Sequence, residues 1–283
     1  MLPPPNSSPG LQMSCIAIAC SILKIMFKRV FNRHRSSDIP RLPSVPADSL
    51  IYAIGDIHGR ADMLARLHGL IQADAARRQD SPSAQQRTLV IYLGDYIDRG
   101  PESRAVIDLL LHEKLAGFES IFLKGNHEDS LLRFLDDEQI GPAWLTYGGA
   151  GTLYSYGIRP PDPSKPEELA AARQMLIDKL PAEHLAFYRD AKLLHIEGDY
   201  AFVHAGVRPR LPLNDQAPED LMWIRDEFLQ SGADFGKIIV HGHSITDRPD
   251  VRPNRIGIDT GAFATGRLTS LVLQGTERSF IAT

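Results

Sequence analysis

Three short blocks restrict what this chain can fold into. They are Gly55-Asp56-Ile57-His58-Gly59, Gly94-Asp95-Tyr96-Ile97-Asp98-Arg99-Gly100 and Gly125-Asn126-His127-Glu128. Each directly follows an apolar run: Leu50–Ile54, Leu89–Leu93 and Ile121–Leu123. Short apolar runs closed by glycine and a polar residue read as β-strands. The stretches between them carry apolar residues at helical spacing: Met63, Leu64, Leu67, Leu70 and Ile71 in one, Val106, Ile107, Leu110 and Leu111 in the other. The order is therefore βαβαβ, with parallel strands joined by crossover helices. Strands that deliver Asp, His or Asn three times from their C-terminal ends converge on one crevice. That placement names a chemistry, hydrolysis at phosphorus by two metal ions, as well as a fold.

The helix of the first crossover spans Arg60 to Arg78 on this reading, the second opens at Pro101, and a third runs through about Leu135. Residues 140–190 break the rhythm and read as a helical insertion, a lid over the sheet face that would wall the substrate cleft. Within it, Gly148, Gly149 and Gly151 read as a tight turn. They lack the following Lys-Ser/Thr of a phosphate cradle. Strand patterns return at Leu193–Ile196, Tyr200–Val203 before His204-Ala205-Gly206, and Lys237–Val240 before His241-Gly242-His243. Two closing strands are expected near Arg255–Ile258 and Leu268–Leu273.

A lone Asp-x-His is a weak signal, because these residues meet in many turns. Five strand ends carrying such side chains are another matter: Asp56, His58, Asp95, Asn126, His204 and His243 can all reach one crevice. Mixed carboxylate, amide and imidazole donors suit Mn²⁺, Fe or Zn²⁺ better than Ca²⁺ or Mg²⁺. Without a cation, buried Asp56 and Asp95 would repel each other at a cost of several kcal/mol.

The combination Gly-Asp-x-His-Gly, Gly-Asp-x-x-Asp-Arg-Gly and Gly-Asn-His-Glu, with distal His-Ala-Gly and Gly-His, resembles the phosphoprotein phosphatases. Gly242-His243-Ser244 is similar to the form in their bacterial and phage members. The resemblance spans about residues 50–275. It implies a calcineurin-like metallophosphoesterase fold, a layered α/β domain with a central mixed β-sandwich flanked by helices. It implies two divalent metal ions, Mn²⁺ first and Fe or Zn²⁺ as alternatives. Asp56 and His58 would hold one ion, Asn126, His204 and His243 the other, and Asp95 would bridge them. It implies direct in-line attack by a hydroxide held between the metals. Arg99 and Arg225 would grip the phosphate, and His127, supported by Asp98, would protonate the leaving oxygen. An arginine fork matches phosphate oxygens in a way lysine does not. General acid catalysis of this kind is worth about 10²–10⁴-fold.

The expected activity is a protein serine/threonine phosphatase, with phosphotyrosine as a further substrate. The alternative on the same scaffold is a symmetrical dinucleoside tetraphosphatase or related nucleotide phosphohydrolase, a branch that typically departs from the Asp-Arg-Gly kept here at Asp98-Arg99-Gly100. A catalytically dead binding module is the remote third reading. Lys124 stands where many eukaryotic members have arginine. Glu128 reads equally as a residue behind the ligands or as a solvent-exposed helix start. His241 reads as a packing neighbour of His243, and Trp223 as an anchor beside Arg225. His34, His68, His112, His184 and His195 read as ordinary surface or packed histidines.

Composition adds exclusions. With 31 basic against 35 acidic residues, the formal net charge of −4 offers no concentrated basic face for nucleic acid. Residues 1–47 differ from the rest: Pro3, Pro4, Pro5 and Pro9, an apolar stretch Met13–Leu23 containing both cysteines, Cys15 and Cys20, then Lys24, Lys28, Arg29, Arg33 and Arg35 and a proline-rich linker. The apolar stretch falls short of the roughly 20 residues of a spanning helix, and its charges follow it, unlike a secretory signal. A disordered tail is expected in preference to a signal-anchor or a surface amphipathic helix, and Met26 is an alternative start. The catalytic domain is expected at 48–283, in the cytoplasm, acting on a phosphorylated protein or peptide.

Overall fold

The computed structural model describes residues 1–2, 42–79 and 87–283. The chain divides into two units, residues 1–42 and Pro43–Thr283. The tail reading and the Met26 alternative lie almost wholly outside the described residues. Among the described residues, the second unit carries the sheets, the helices and every candidate site residue.

Two five-stranded sheets face each other. The first takes β1 (Ser49–Ile54), β2 (Arg87–Tyr92), β3 (Glu119–Phe122), β9 (Thr269–Gln274) and β10 (Glu277–Ala282), in the order β10-β9-β1-β2-β3. The second takes β4 (Leu194–Glu197), β5 (Tyr200–Val203), β6 (Ile238–His241), β7 (Asp250–Val251) and β8 (Arg255–Gly257), in the order β4-β5-β6-β8-β7. β1, β2 and β3 are mutually parallel, as are β5, β6 and β8. Their C-terminal ends therefore emerge together.

Strand alternation sorts the core into layers. Ile51, Ala53, Leu89 and Ile91 point inward against Tyr200, Phe202, Val240 and Ile256 of the opposite sheet. Their neighbours Leu50, Tyr52, Val90 and Tyr92 point outward, onto helices α1 (Ala61–Gln79) and α2 (Ser103–His112). Ala201, Val203 and Ile239 pack on the outer face of the second sheet against α8 (Pro218–Trp223) and α9 (Asp226–Leu229). Such a period of two, with both faces covered, is what a sandwich flanked by helices requires. The layered α/β reading stands.

Several boundaries differ from the sequence reading. α2 starts at Ser103, not Pro101, because the chain before it is tied to the first motif: Glu102 donates its N–H to the Gly59 carbonyl at 3.0 Å. Residues 140–190 are helical, as α4 (Gly141–Trp144), a π-helical stretch Leu145–Gly149, α5 (Ala150–Ser155), α6 (Pro166–Lys179) and α7 (Ala182–Asp190). The turn expected over Gly148, Gly149 and Gly151 narrows to Gly148 alone, and the other two glycines are helical. The segment is a helix kinked at Gly148, whose φ of 112° is closed to other residues. A Cβ there would stand 2.7 Å from Arg99 backbone nitrogen, and one on Gly149 would meet the Trp144 ring at 2.5 Å. Close approach is the reason for these glycines. β7 and β10, the latter paired with β9 across a turn at Gly275-Thr276, add to the strands expected from sequence.

Candidate active site

α3 (Asn126–Asp136) begins where β3 ends, so Asn126 and His127 sit in its first turn beside the ends of β1 and β2. Of the other sequence-predicted residues, Asp56, His58, Asp95, Asp98, Arg99, His204 and His243 belong to loops at the parallel strand ends, and Arg225 to the start of α9. Asp56, His58, Asp95, Asp98, Asn126, His127, His204 and His243 are buried.

Backbone carbonyls fix the imidazole tautomers. His58 Nδ1–H donates to Ile97 O at 2.9 Å, and His204 Nδ1–H donates to Leu93 O at 2.9 Å. Each ring thus presents the lone pair of Nε2 to the crevice. His58 Nε2 lies 3.6 Å from Asp95 Oδ2, and His204 Nε2 lies 3.4 Å from Asp95 Oδ1. His204 Nε2 also stands 2.9 Å from Asn126 Oδ1 and 3.2 Å from His243 Nδ1. Four acceptor atoms aimed at one point repel one another unless a cation sits among them. His243 Nε2 is buried with no hydrogen-bond partner, which suits a ring held by its other nitrogen. His58, Asp95 and His127, and separately Asp95, His204 and His243, offer donor atoms within 4.8 Å of one another. Asp95 belongs to both groups. Burial pushes the imidazoles of His58 to about 3 and of His243 to about 2, and also lowers His204, keeping these rings neutral as metal donors must be.

Asp56 accepts the backbone N–H of His243 at 3.0 and 3.2 Å, which joins the first and last motifs. The backbone itself is unusual here. His58, Asp95, Asp98, Arg99 and His243 all have φ between 48° and 70°. Each such non-glycine conformation costs on the order of 1–3 kcal/mol and persists only where its surroundings impose it.

His127 is bound differently. Its Nδ1–H donates to Asp98 Oδ2 at 2.7 Å, leaving Nε2 3.4 Å from Arg99 Nη2 and 3.8 Å from Asp95 Oδ2. Burial opposes charge on this ring, but the carboxylates of Asp95 and Asp98 outweigh it and lift the imidazole to about 9. Asp98 is held in turn by Trp144 Nε1–H at 2.8 Å and by the Thr152 hydroxyl, both from the 141–155 helical segment. Arg99 donates its N–H to Gly148 O at 3.0 Å and lays its guanidinium over the Phe263 ring at 4.8 Å. Arg225 is exposed, with Nη1 3.4 Å from His243 O.

Among the residues left open by sequence, Glu128 is fully buried and accepts the N–H groups of Asp95 (2.9 Å), Tyr96 (2.8 Å) and Gly125 (2.9 Å). It does not face solvent. His241 stays outside the cluster, packed edge-on against Phe228 at 5.0 Å and 3.3 Å from Arg255 Nη1. His68 and His184 are buried on Tyr92 and on Tyr156 and Asp108, as ordinary packed histidines. Asp259, just past β8, is a site residue that the sequence reading misses. It is buried with the Asp56 and Asp95 carboxylates around it, and burial, with the charge of Asp95, raises its carboxyl to about 6. Its signal is present in the chain: apolar Ile256 and Ile258, then Asp and Gly, as in the first two blocks.

Known proteins resemble this chain. Over 234 residues the chain is 31% identical to serine/threonine-protein phosphatase 2 of Escherichia coli, covering 77% of this chain and 90% of that one. It is 26% identical over 237 residues to a bis(5′-nucleosyl)-tetraphosphatase PrpE (asymmetrical) of Anoxybacillus flavithermus, covering 77% and 88%. A crystal structure assigned as a diadenosine tetraphosphatase superposes with a TM-score of 0.54 at 19% identity, covering 86% of this chain and 98% of the other, a likeness of fold. Residues 49–265 match the calcineurin-like phosphoesterase family, a stretch that contains every site residue described above. The chain is thus a calcineurin-like phosphoesterase, a hydrolase of a family that uses divalent metal ions.

Proposed function

We propose that this phosphoesterase removes phosphate from phosphoserine and phosphothreonine in proteins. The observation that carries the reading is the His127–Asp98 pair at 2.7 Å, with Asp98 further fixed by Trp144 and Thr152. A serine alkoxide is a poor leaving group, so a preset acid is most useful for an alkyl phosphomonoester. Asp56 and His58 would hold one cation and Asn126, His204 and His243 the other, with Asp95 serving both. Mn²⁺ is the first choice for that donor set. When bound, the pair of cations would supply a nucleophilic water and neutralise charge developing on phosphorus. Arg99 and Arg225 would orient the phosphate oxygens, and His127 Nε2–H would donate its proton to the departing oxygen. Among the described residues no helix is long and apolar enough to cross a membrane.

A second reading is a dinucleoside tetraphosphatase. The Phe263 ring beside Arg99 favours it, because it offers a flat apolar face next to a phosphate-gripping side chain. Parallel assays with Mn²⁺ on a phosphoserine peptide and on diadenosine tetraphosphate separate the two. The phosphatase reading expects kcat/KM at least about tenfold higher on the peptide, a difference of about 1.4 kcal/mol in transition-state binding. The opposite ratio would replace it with the nucleotide reading.

A further inference from the structure

β8 runs parallel to β6, and the chain past its end continues Ile258-Asp259-Thr260-Gly261 into the same crevice as the other strand ends. Asp259 is 2% exposed. Its Oδ1 accepts the N–H of Gly261 at 2.9 Å, and Asp56, Asp95 and Arg99 are the charged groups around it.

The turn that carries Asp259 is locked. Thr260 Oγ1 donates to Arg267 O at 2.8 Å and stands 2.7 Å from Thr269 Oγ1. Thr265 Oγ1 donates to Thr260 O at 2.8 Å. On the other side, Ile258 O lies 2.6 Å from where a Cβ on Gly55 would stand, so the turn abuts the first motif directly. A carboxylate this confined cannot swing out to water. Three carboxylates in one dry crevice are tolerable only where cations share it. Two divalent cations bring four positive charges, and the six side chains assigned to hold them include only two carboxylates, Asp56 and Asp95.

We propose that Asp259 supports the first cation position through its charge. From the end of β8 it adds a third buried negative charge that tightens cation binding beside Asp56 and His58. The inference rests on the metal-holding role given above to Asp56, His58 and Asp95.

The test uses full-length protein stripped with a chelator and Mn²⁺ alone as the probe. Equilibrium dialysis gives stoichiometry and affinity, and electron paramagnetic resonance reports spin coupling between neighbouring ions. Wild type should bind two Mn²⁺ and show the coupled spectrum. Asp259→Asn keeps the shape and hydrogen-bonding reach of the side chain but removes its charge. It should bind one Mn²⁺ as wild type does and the other about 10–100-fold more weakly, the size of effect expected from a side chain behind a metal ligand. The coupled spectrum should appear only at correspondingly higher Mn²⁺. An Asn variant that binds both ions like wild type overturns the proposal. So does a metal-free Asn variant that melts below metal-free wild type, since Asp259 would then support the fold rather than the cation. Asp56→Asn is measured alongside. If wild type holds fewer than two ions, or Asp56→Asn loses none, the metal assignment itself falls. If only Asp259→Asn is without effect, this inference alone falls.

Discussion

His58 and His204 commit Nδ1–H to the carbonyls of Ile97 and Leu93, whereas His127 commits Nδ1–H to the carboxylate of Asp98. A carbonyl fixes a tautomer and leaves the ring neutral; a carboxylate also favours the imidazolium. Rings a few ångströms apart are thereby prepared for different tasks, lone-pair donation and proton donation. His127→Asn should therefore retain bound metal, yet lose roughly 10²–10⁴ in kcat/KM on a phosphoserine peptide. On p-nitrophenyl phosphate the loss should be much smaller, because nitrophenolate leaves without a proton. Kinetics on both substrates, with metal content measured on the same sample, check this; equal losses would assign His127 to phosphate positioning. The ligand candidates are legible in sequence because each is an Asp, Asn or His directly behind an apolar run. Asp259 obeys the same rule, but no histidine or second acid accompanies it, so a reading keyed to Asp-x-His passes over it. The burial of Glu128 is not legible, since an acid in a first helical turn is ordinarily placed there by the helix dipole alone.

Among elements, the crossover helices follow from a 3.6-residue period and the six parallel strands from short apolar runs closed by glycine or a polar residue, and their ends fall within a few residues of expectation. The segment 141–155 does not, because a helix through Gly148, Gly149 and Gly151 contradicts local propensity. It exists because its glycines let it press against Arg99, Trp144 and the Gly100 carbonyl. Two glycine substitutions probe the distinction by thermal melting and by turnover of p-nitrophenyl phosphate. Gly69→Ala, exposed in α1 with nothing within 4 Å of the new Cβ, should gain about 0.5–1 kcal/mol with turnover unchanged. Gly148→Ala should cost about 1–3 kcal/mol, given its φ of 112°, and should lower turnover by displacing Arg99. A Gly148→Ala protein with wild-type melting and turnover would refute the buttressing of Arg99 by this segment.

For the whole molecule, the converging lone pairs mean that cations bound among them would relieve the repulsion held in the metal-free fold. Stability should then follow metal concentration. At free Mn²⁺ about 100 times its dissociation constant, one site adds about 2.7 kcal/mol, equivalent to about 5–10 °C for a domain of this size. Calorimetry across a Mn²⁺ titration, starting from chelated protein, measures it; a melting temperature indifferent to Mn²⁺ would contradict the assignment. The sandwich has one further property. Glu128 gathers the N–H groups of Asp95 and Tyr96, after β2, and of Gly125, before α3, onto a single carboxylate. Asp95 is shared by both candidate positions, and Asn126 follows Gly125 directly. The gap between the two candidate positions is thus gauged by one side chain that belongs to neither. Drift at Glu128 would shift both seats at once, so a lineage carrying this fold can respace them only in step.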